Sequence, residues 1–183
     1  MISPKEFLDK WNKDIYPLVE YDANILDLLK LNEDAKEFLI KAGLPDSAAP
    51  FLNFVSSAKG GAVRFNEKDK VGEEFSKYIY LGFTGNGDPI CVIEETGRMV
   101  YLDHEDNYSE RHINSSIHQF AESILEYAEF VKKIKQVNGR KAFLDRKAPS
   151  DLLEWISLKL QDIDSKSLNE KCFWKEELDY YKN

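Results

Sequence analysis

Three apolar runs and the two turns between them decide the fold. They are Tyr78-Ile79-Tyr80-Leu81-Gly82-Phe83, Ile90-Cys91-Val92-Ile93 and Arg98-Met99-Val100-Tyr101-Leu102, joined by Gly85-Asn86-Gly87-Asp88 and by Glu94-Glu95-Thr96-Gly97. Each run is too short for a helix and rich in β-branched or aromatic residues. The linkers carry Asn and Gly, which tolerate positive φ. Short strands joined by tight turns predict an antiparallel meander.

Outward from this centre the period becomes helical. Upstream, Ser3-Pro4-Lys5-Glu6 is a capping box followed by Phe7, Leu8 and Trp11 at helical spacing. Pro17 to Tyr21 reads as a short strand. Asn32 caps a second helix with the stripe Ala35, Phe38, Leu39 and Ala42, closed by Gly43 and Pro45. Phe51 to Phe54 is a further candidate strand, and Gly60-Gly61 and Lys68-Asp69-Lys70 mark loops. Downstream, Ser116-Ile117-His118-Gln119 opens the longest helix, with Ile117, Phe120, Ala121, Ile124, Ala128 and Val131 on one face. A basic, irregular stretch runs to Pro149. Ser150 is expected to cap one more helix, on Leu153, Ile156 and Leu160. Ser167 is expected to cap a last one, on Phe173, Trp174, Leu178 and Tyr181. The order predicts an α+β domain, with N-terminal and C-terminal helices on one side of an antiparallel sheet. We expect one domain over 1–183, with core helices and sheet in 1–134 and a basic connector plus two helices in 135–183.

The chain has 183 residues, 43% hydrophobic and 13% aromatic, which excludes disorder over most of its length. Its net charge of −8 argues against direct nucleic-acid binding and favours a basic partner. Cys91 and Cys172 fit no zinc or redox spacing and read as small buried side chains in a reducing compartment. No run has the ~18 apolar residues of a membrane span or the start of a signal peptide. The expectation is a cytoplasmic protein with no membrane partner.

Candidate chemistry is sparse. Asp103-His104-Glu105-Asp106 carries ligand-type side chains but lacks the spacing of a calcium loop, and reads as a solvated acidic turn. His118 and Glu122 share a helix face and read as a surface pair. Gly82-Phe83-Thr84-Gly85-Asn86-Gly87 lacks the residues of a phosphate loop and precedes a strand. Ser115 and Ser116, near His112 and His118, are explained as helix caps. An enzyme using carboxylates, with His104, is the residual enzymatic reading, and a deep pocket lined by Asp103, His104 and another acid would support it. We therefore assign no catalytic residue, metal ligand or cofactor.

The motifs also form a succession. Phe38-Leu39 leads to Gly43-Leu44-Pro45. Leu81-Gly82 is followed by Gly85-Asn86-Gly87-Asp88 and Ile90-Cys91-Val92. Thr96-Gly97-Arg98-Met99-Val100 precedes Asp103-His104, and Ile113-Asn114-Ser115-Ser116 enters Phe120-Ala121. This resembles the SUKH superfamily of immunity proteins, which also contains the yeast glucan-synthesis regulators. The Asn-Ser-Ser opening, with Leu160, Ile163-Asp164 and Phe173-Trp174, is most similar to its fourth immunity family, over roughly residues 35–178. The resemblance implies a non-enzymatic antidote that binds and blocks a secreted polymorphic toxin domain, such as a nuclease or deaminase, as a monomer or weak dimer. It also allows a regulatory protein-binding module of the glucan-regulator type. It carries over Gly43, Pro45, Gly82, Gly85, Gly87, Asp88, Gly97, Asn114, Ser115, Ser116, Phe120 and Trp174 as scaffold.

Charge is concentrated. From Thr84 to Glu110 seven carboxylates face one arginine, a net of −6, while 132–147 holds seven basic residues against Asp145, a net of +6. An acidic patch complements a toxin's basic cleft. Candidate partner contacts are Asp88, Glu94, Glu95, Asp103, Glu105 and Asp106, with Tyr101 and Tyr108 as anchors.

Overall fold

A computed structural model describes residues 1–182. In chain order its regular elements are α1 (Pro4–Lys10), β1 (Leu18–Val19), α2 (Ala23–Asp27), α3 (Glu33–Lys41), β2 (Leu44–Pro45), β3 (Ser47–Ala48), β4 (Leu52–Phe54), β5 (Val63–Arg64), α4 (Phe65–Asp69), β6 (Tyr78–Phe83), β7 (Pro89–Ile93), β8 (Met99–Asp103), β9 (Ser109–Asn114), α5 (Ile117–Asn138), α6 (Ser150–Ile163) and α7 (Phe173–Asp179). Strands β3, β4, β6, β7, β8 and β9 lie side by side in that order, and every pairing is antiparallel. β4 and β5 share the outer edge of β6, β4 at Gly82 and Phe83 and β5 at Ile79 and Tyr80. β1 and β2 form a separate two-stranded ribbon.

The α+β class stands as read from sequence, and the sheet is larger than expected. The meander has a fourth strand, β9, over Ser-Glu-Arg-His-Ile-Asn. It is an edge strand whose outward side is polar, so it lacks the β-branched signature of its neighbours. Both sheet faces are buried. Ile79, Leu81, Ile90, Val92, Met99, Tyr101 and Ile113 join the main core with Phe7, Phe38, Phe120 and Trp174 from the helices. Tyr78, Tyr80, Cys91, Ile93, Val100 and Leu102 pack instead against Phe65, Phe75 and Tyr108. The N-terminal and C-terminal helices lie on one side as expected, and the excursion through α4, not foreseen, covers the other. Its apolar residues are too few and too widely spaced among charges to show a period.

The N-terminal signals hold. Ser3 and Glu6 form the capping box of α1, and Asn32 accepts from Ala35 N–H at the start of α3. Ser116 Oγ accepts from Gln119 N–H to open α5. The C-terminal caps differ. Pro149, not Ser150, is the N-cap of α6, and Cys172, not Ser167, that of α7. The buried Ser167 hydroxyl donates instead to the carbonyl of Leu160. α5 continues to Asn138, so Lys132, Lys133 and Lys135 lie on a helix and only 139–149 is irregular. Both cysteines are buried and free, and burial pushes the Cys91 thiol well up.

Gly82 allows β4 to reach the sheet. A Cβ there would lie 2.0 Å from the carbonyl oxygen of Asn53. We expect Gly82→Ala to cost about 2 kcal/mol through forced separation of β4 and β6. Gly87→Ala, at φ +90° but in open space, is expected to cost about 1 kcal/mol through backbone strain alone. Urea unfolding of both variants checks the order.

Candidate functional site: an acidic groove at one end of the meander

The antiparallel order puts the β6–β7 and β8–β9 turns at one end of the sheet and the β7–β8 turn at the other. Asp88 clamps the first two together. Its Oδ1 accepts from the backbone N–H of His104 at 3.2 Å and lies 2.6 Å from His104 Nδ1, while its Oδ2 accepts from Thr84 Oγ1 at 3.0 Å. The hydrogen bond to Asp88, with its charge and those of Glu105 and Asp103, holds the His104 pKa above the ordinary imidazole value.

The other wall is α7, brought in by the step from β9 into α5. Asn114 is fully buried; its Oδ1 accepts from Trp174 Nε1 at 2.9 Å and its Nδ2 donates to Ser123 Oγ at 3.3 Å. Ser115 donates through its backbone N–H, at 2.6 Å, and its hydroxyl, at 3.2 Å, to Asp164 at the end of α6. His112 Nε2 and the N–H of Lys166 complete the shell of that carboxylate. Burial pushes the Asp164 carboxyl up, but these hydrogen bonds outweigh it and hold the pKa well below the usual carboxylate range. Three consecutive polar residues therefore place three helices: Asn114 seats α7, Ser115 the end of α6, and Ser116 the start of α5.

Between the two turns and α7 lies an open groove of about 520 Å³ at its aromatic end, continuing into an acidic end. Tyr101 forms the floor; its hydroxyl donates to Glu176 at 2.7 Å and its ring meets Phe173 edge-on at 6.0 Å. Asp88, Asp103, Glu105, Glu176 and Asp179 line the acidic end, with His104. Asp103 is paired with Arg111 at 3.2 Å, and Asp179 with Lys175 and Lys182. At the aromatic end Arg146 lies over the rings of Phe51, Phe143, Tyr180 and Tyr181 and pairs with Glu177. Glu177 is buried and also accepts from Tyr127 Oη at 2.7 Å.

The sequence-predicted contacts are thus divided. Asp88, Tyr101, Asp103 and Glu105 meet in the groove. Asp106 sits on the same turn, held by Arg111 and Ser109. Glu94 and Glu95 are at the opposite end, where Glu94 accepts from Arg64 at 2.7 Å and from the N–H of Lys30 at 3.0 Å. Tyr108 packs on the outer face of the sheet against Phe65. Phe51, Arg146, Glu176 and Tyr180 were not anticipated, since no local pattern marks residues that meet only through tertiary packing. The surface pair of His118 and Glu122 is corrected: His118 Nδ1 lies 2.8 Å from the carbonyl of Ile2, and Glu122 takes the N-terminal amine at 3.5 Å. Several of the positions expected as scaffold are closely packed. Gly43 stands at φ +68° where a Cβ would meet the Val19 carbonyl at 2.2 Å. Gly85 leaves room for Phe51. Pro45 lies in the ribbon, Gly97 turns β7 into β8, and Phe120 fills the main core.

The fold is thus α+β, with an open groove at one end of the sheet beside a buried polar joint. A family model described as SUKH-4 immunity protein matches residues 16–180. The chain belongs to the SUKH-4 immunity protein family, and membership implies immunity to a toxin. Comparison with curated proteins and with solved structures gives no match. Among the described residues no helix is long and apolar enough to cross a membrane.

The Asp164 shell makes stability depend on pH. A carboxyl whose native pKa is depressed contributes fully above its unfolded value of about 3.9 and loses that contribution as pH falls toward the native value. We expect wild-type unfolding free energy to fall steadily from about pH 4 downward. Asp164→Asn is expected to cost about 3 kcal/mol at pH 7, leaving buried donors poorly matched, and to flatten that acid limb. Urea titrations at pH 7, 4 and 2.5 check both.

Proposed function

We propose that the protein neutralises a secreted toxin domain by seating that domain's basic, substrate-binding surface in the acidic groove. A nuclease or deaminase is the toxin class whose surface fits. The observation that carries this reading is the convergence of Asp88, Asp103, Glu105 and Glu176, from two turns and a helix distant in sequence, along one open groove. A cleft that binds nucleic acid is lined with cations. An acidic surface accelerates encounter with such a cleft and disfavours wrong partners. Tyr101, Phe173 and Tyr180 supply the aromatic area that interfaces concentrate near their centres. Inhibition needs no chemistry from this chain, because a toxin whose cleft is occupied cannot admit its substrate. One groove serves one toxin domain, so a monomer suffices, acting in the cytoplasm where the toxin's target lies.

Affinity for the purified toxin domain encoded beside this gene tests the reading. Glu105 and Glu176 are both exposed. The pair Glu105→Lys/Glu176→Lys is expected to weaken binding at least tenfold, to flatten its salt dependence, and to abolish protection of cells expressing the toxin. Glu95→Lys, at the opposite end of the meander, is expected to leave all three unchanged. Wild-type affinity in the double variant, with its fold intact by circular dichroism, would refute the proposal.

A further inference from the structure

A second groove adjoins the first. It lies between the residues that follow α1 and the middle of α5. Trp11, Ile15, Tyr16, Leu125 and Ala128 form its apolar lining, with Lys10, Lys132 and Lys135 on the rim. Ile15 is 62% exposed and Tyr16 44%, so the apolar surface faces solvent. Glu129 is the one carboxylate on the lining, and it pairs with Lys132 at 3.2 Å, leaving the rim net positive. This is the reverse of the neighbouring groove's charge.

One segment of chain runs from the lining of one groove to that of the other. Ala48 and Ala49 line the apolar one, and the next two residues, Pro50 and Phe51, line the acidic one. Phe51 is the last residue of this segment and lies on the acidic groove. It is 44% exposed, its backbone stands at φ +58°, and its ring lies 5.1 Å from that of Phe143, over which Lys135 sits. The ring is thus held at the surface by Phe143 and by Arg146, with its outer part open to a partner.

Size supports joining them. A stable protein interface uses about 20–30 residues a side. The acidic groove is lined by 16 residues and the apolar one by 14, with none shared. Together the two linings are of the order that one side of an ordinary interface covers.

We propose that the toxin domain occupies both grooves at once. It sets its basic cleft on the acidic end, crosses Phe51, and places an apolar segment flanked by carboxylates in the lysine-rimmed groove. The inference rests on the reading that this chain binds a toxin through the acidic groove. It adds the prediction that the partner carries charge of both signs in a fixed order, which supplies register as well as attraction.

The test is affinity for the same purified toxin domain, with Ile15→Asp/Lys132→Glu measured beside Glu105→Lys/Glu176→Lys. Both Ile15 and Lys132 are exposed, so folding is expected to survive. The first pair makes the protein more acidic, which by long-range steering would speed association with a basic partner. A weakening therefore reports local contact. We expect at least tenfold weaker binding, mainly as faster dissociation, and a similar loss for Phe51→Ala. If Ile15→Asp/Lys132→Glu binds within twofold of wild type while the acidic-groove pair weakens binding, the second groove is not in the interface and the acidic-groove reading stands. If neither pair changes affinity, both fall. If only Ile15→Asp/Lys132→Glu weakens binding, the apolar groove is the contact and the acidic one is not.

Discussion

The indole N–H of Trp174, donated to the side chain of Asn114, seats α7 against the end of β9 and so forms one wall of the groove. Both groups are sealed from water. A buried donor or acceptor left alone costs about 1–3 kcal/mol, so α7 has one favourable seat rather than a slippery apolar contact. The neighbouring hydrogen bonds of Ser115 on Asp164 fix the chain as it leaves α6, and the helix cap at Ser116 fixes the direction of α5. Hydrophobic burial supplies the bulk of the driving force. These polar contacts choose the geometry, and the geometry is what brings Glu176 and Tyr180 across from the meander turns.

The groove has two kinds of wall, and they were unequally legible. The meander wall could be read from sequence, because Gly85-Asn86-Gly87-Asp88 and Asp103-His104-Glu105-Asp106 are local turn signals and their shared end follows from antiparallel order. The helix wall could not. Glu176 and Tyr180 are ordinary residues of a charged helix, and Arg146 stands among six other basic residues in its stretch. Their meaning comes from contacts spanning 31 to 75 positions of sequence, as in Arg146 on Glu177 and Tyr101 on Glu176. β9 was missed for a related reason. Its sequence, Ser-Glu-Arg-His, satisfies the polar side of an edge strand and shows no alternation strong enough to see. The caps expected at Ser150 and Ser167 failed because serine is a permissive signal that Pro149 and Cys172 displace when packing sets the helix start.

Charge takes on a different meaning in three dimensions. The basic stretch from Lys132 to Lys147 is not one island. Its first three lysines ride on α5, two of them near Glu129, while Arg146 is turned inward to neutralise buried Glu177. The acidic stretch likewise divides. Glu94 holds the loop before α3 to the sheet, and Glu110 is taken up by Arg98 and Tyr78. What remains facing solvent in concentrated form is the end of the meander beside α7. The net charge of −8 underlies the proposed basic partner, and the fold underlies the proposed place.

Hydrogen exchange of the protein alone and in complex with its cognate toxin domain tests the central claim most directly, because it maps the contact face without altering a residue. Slowed exchange is expected at the backbone amides of 84–88, 103–107 and 173–180, with the turn at 94–97 unchanged. Protection confined to 94–97 and to the outer face around 65–75, with the groove amides exchanging as in the free protein, would contradict it.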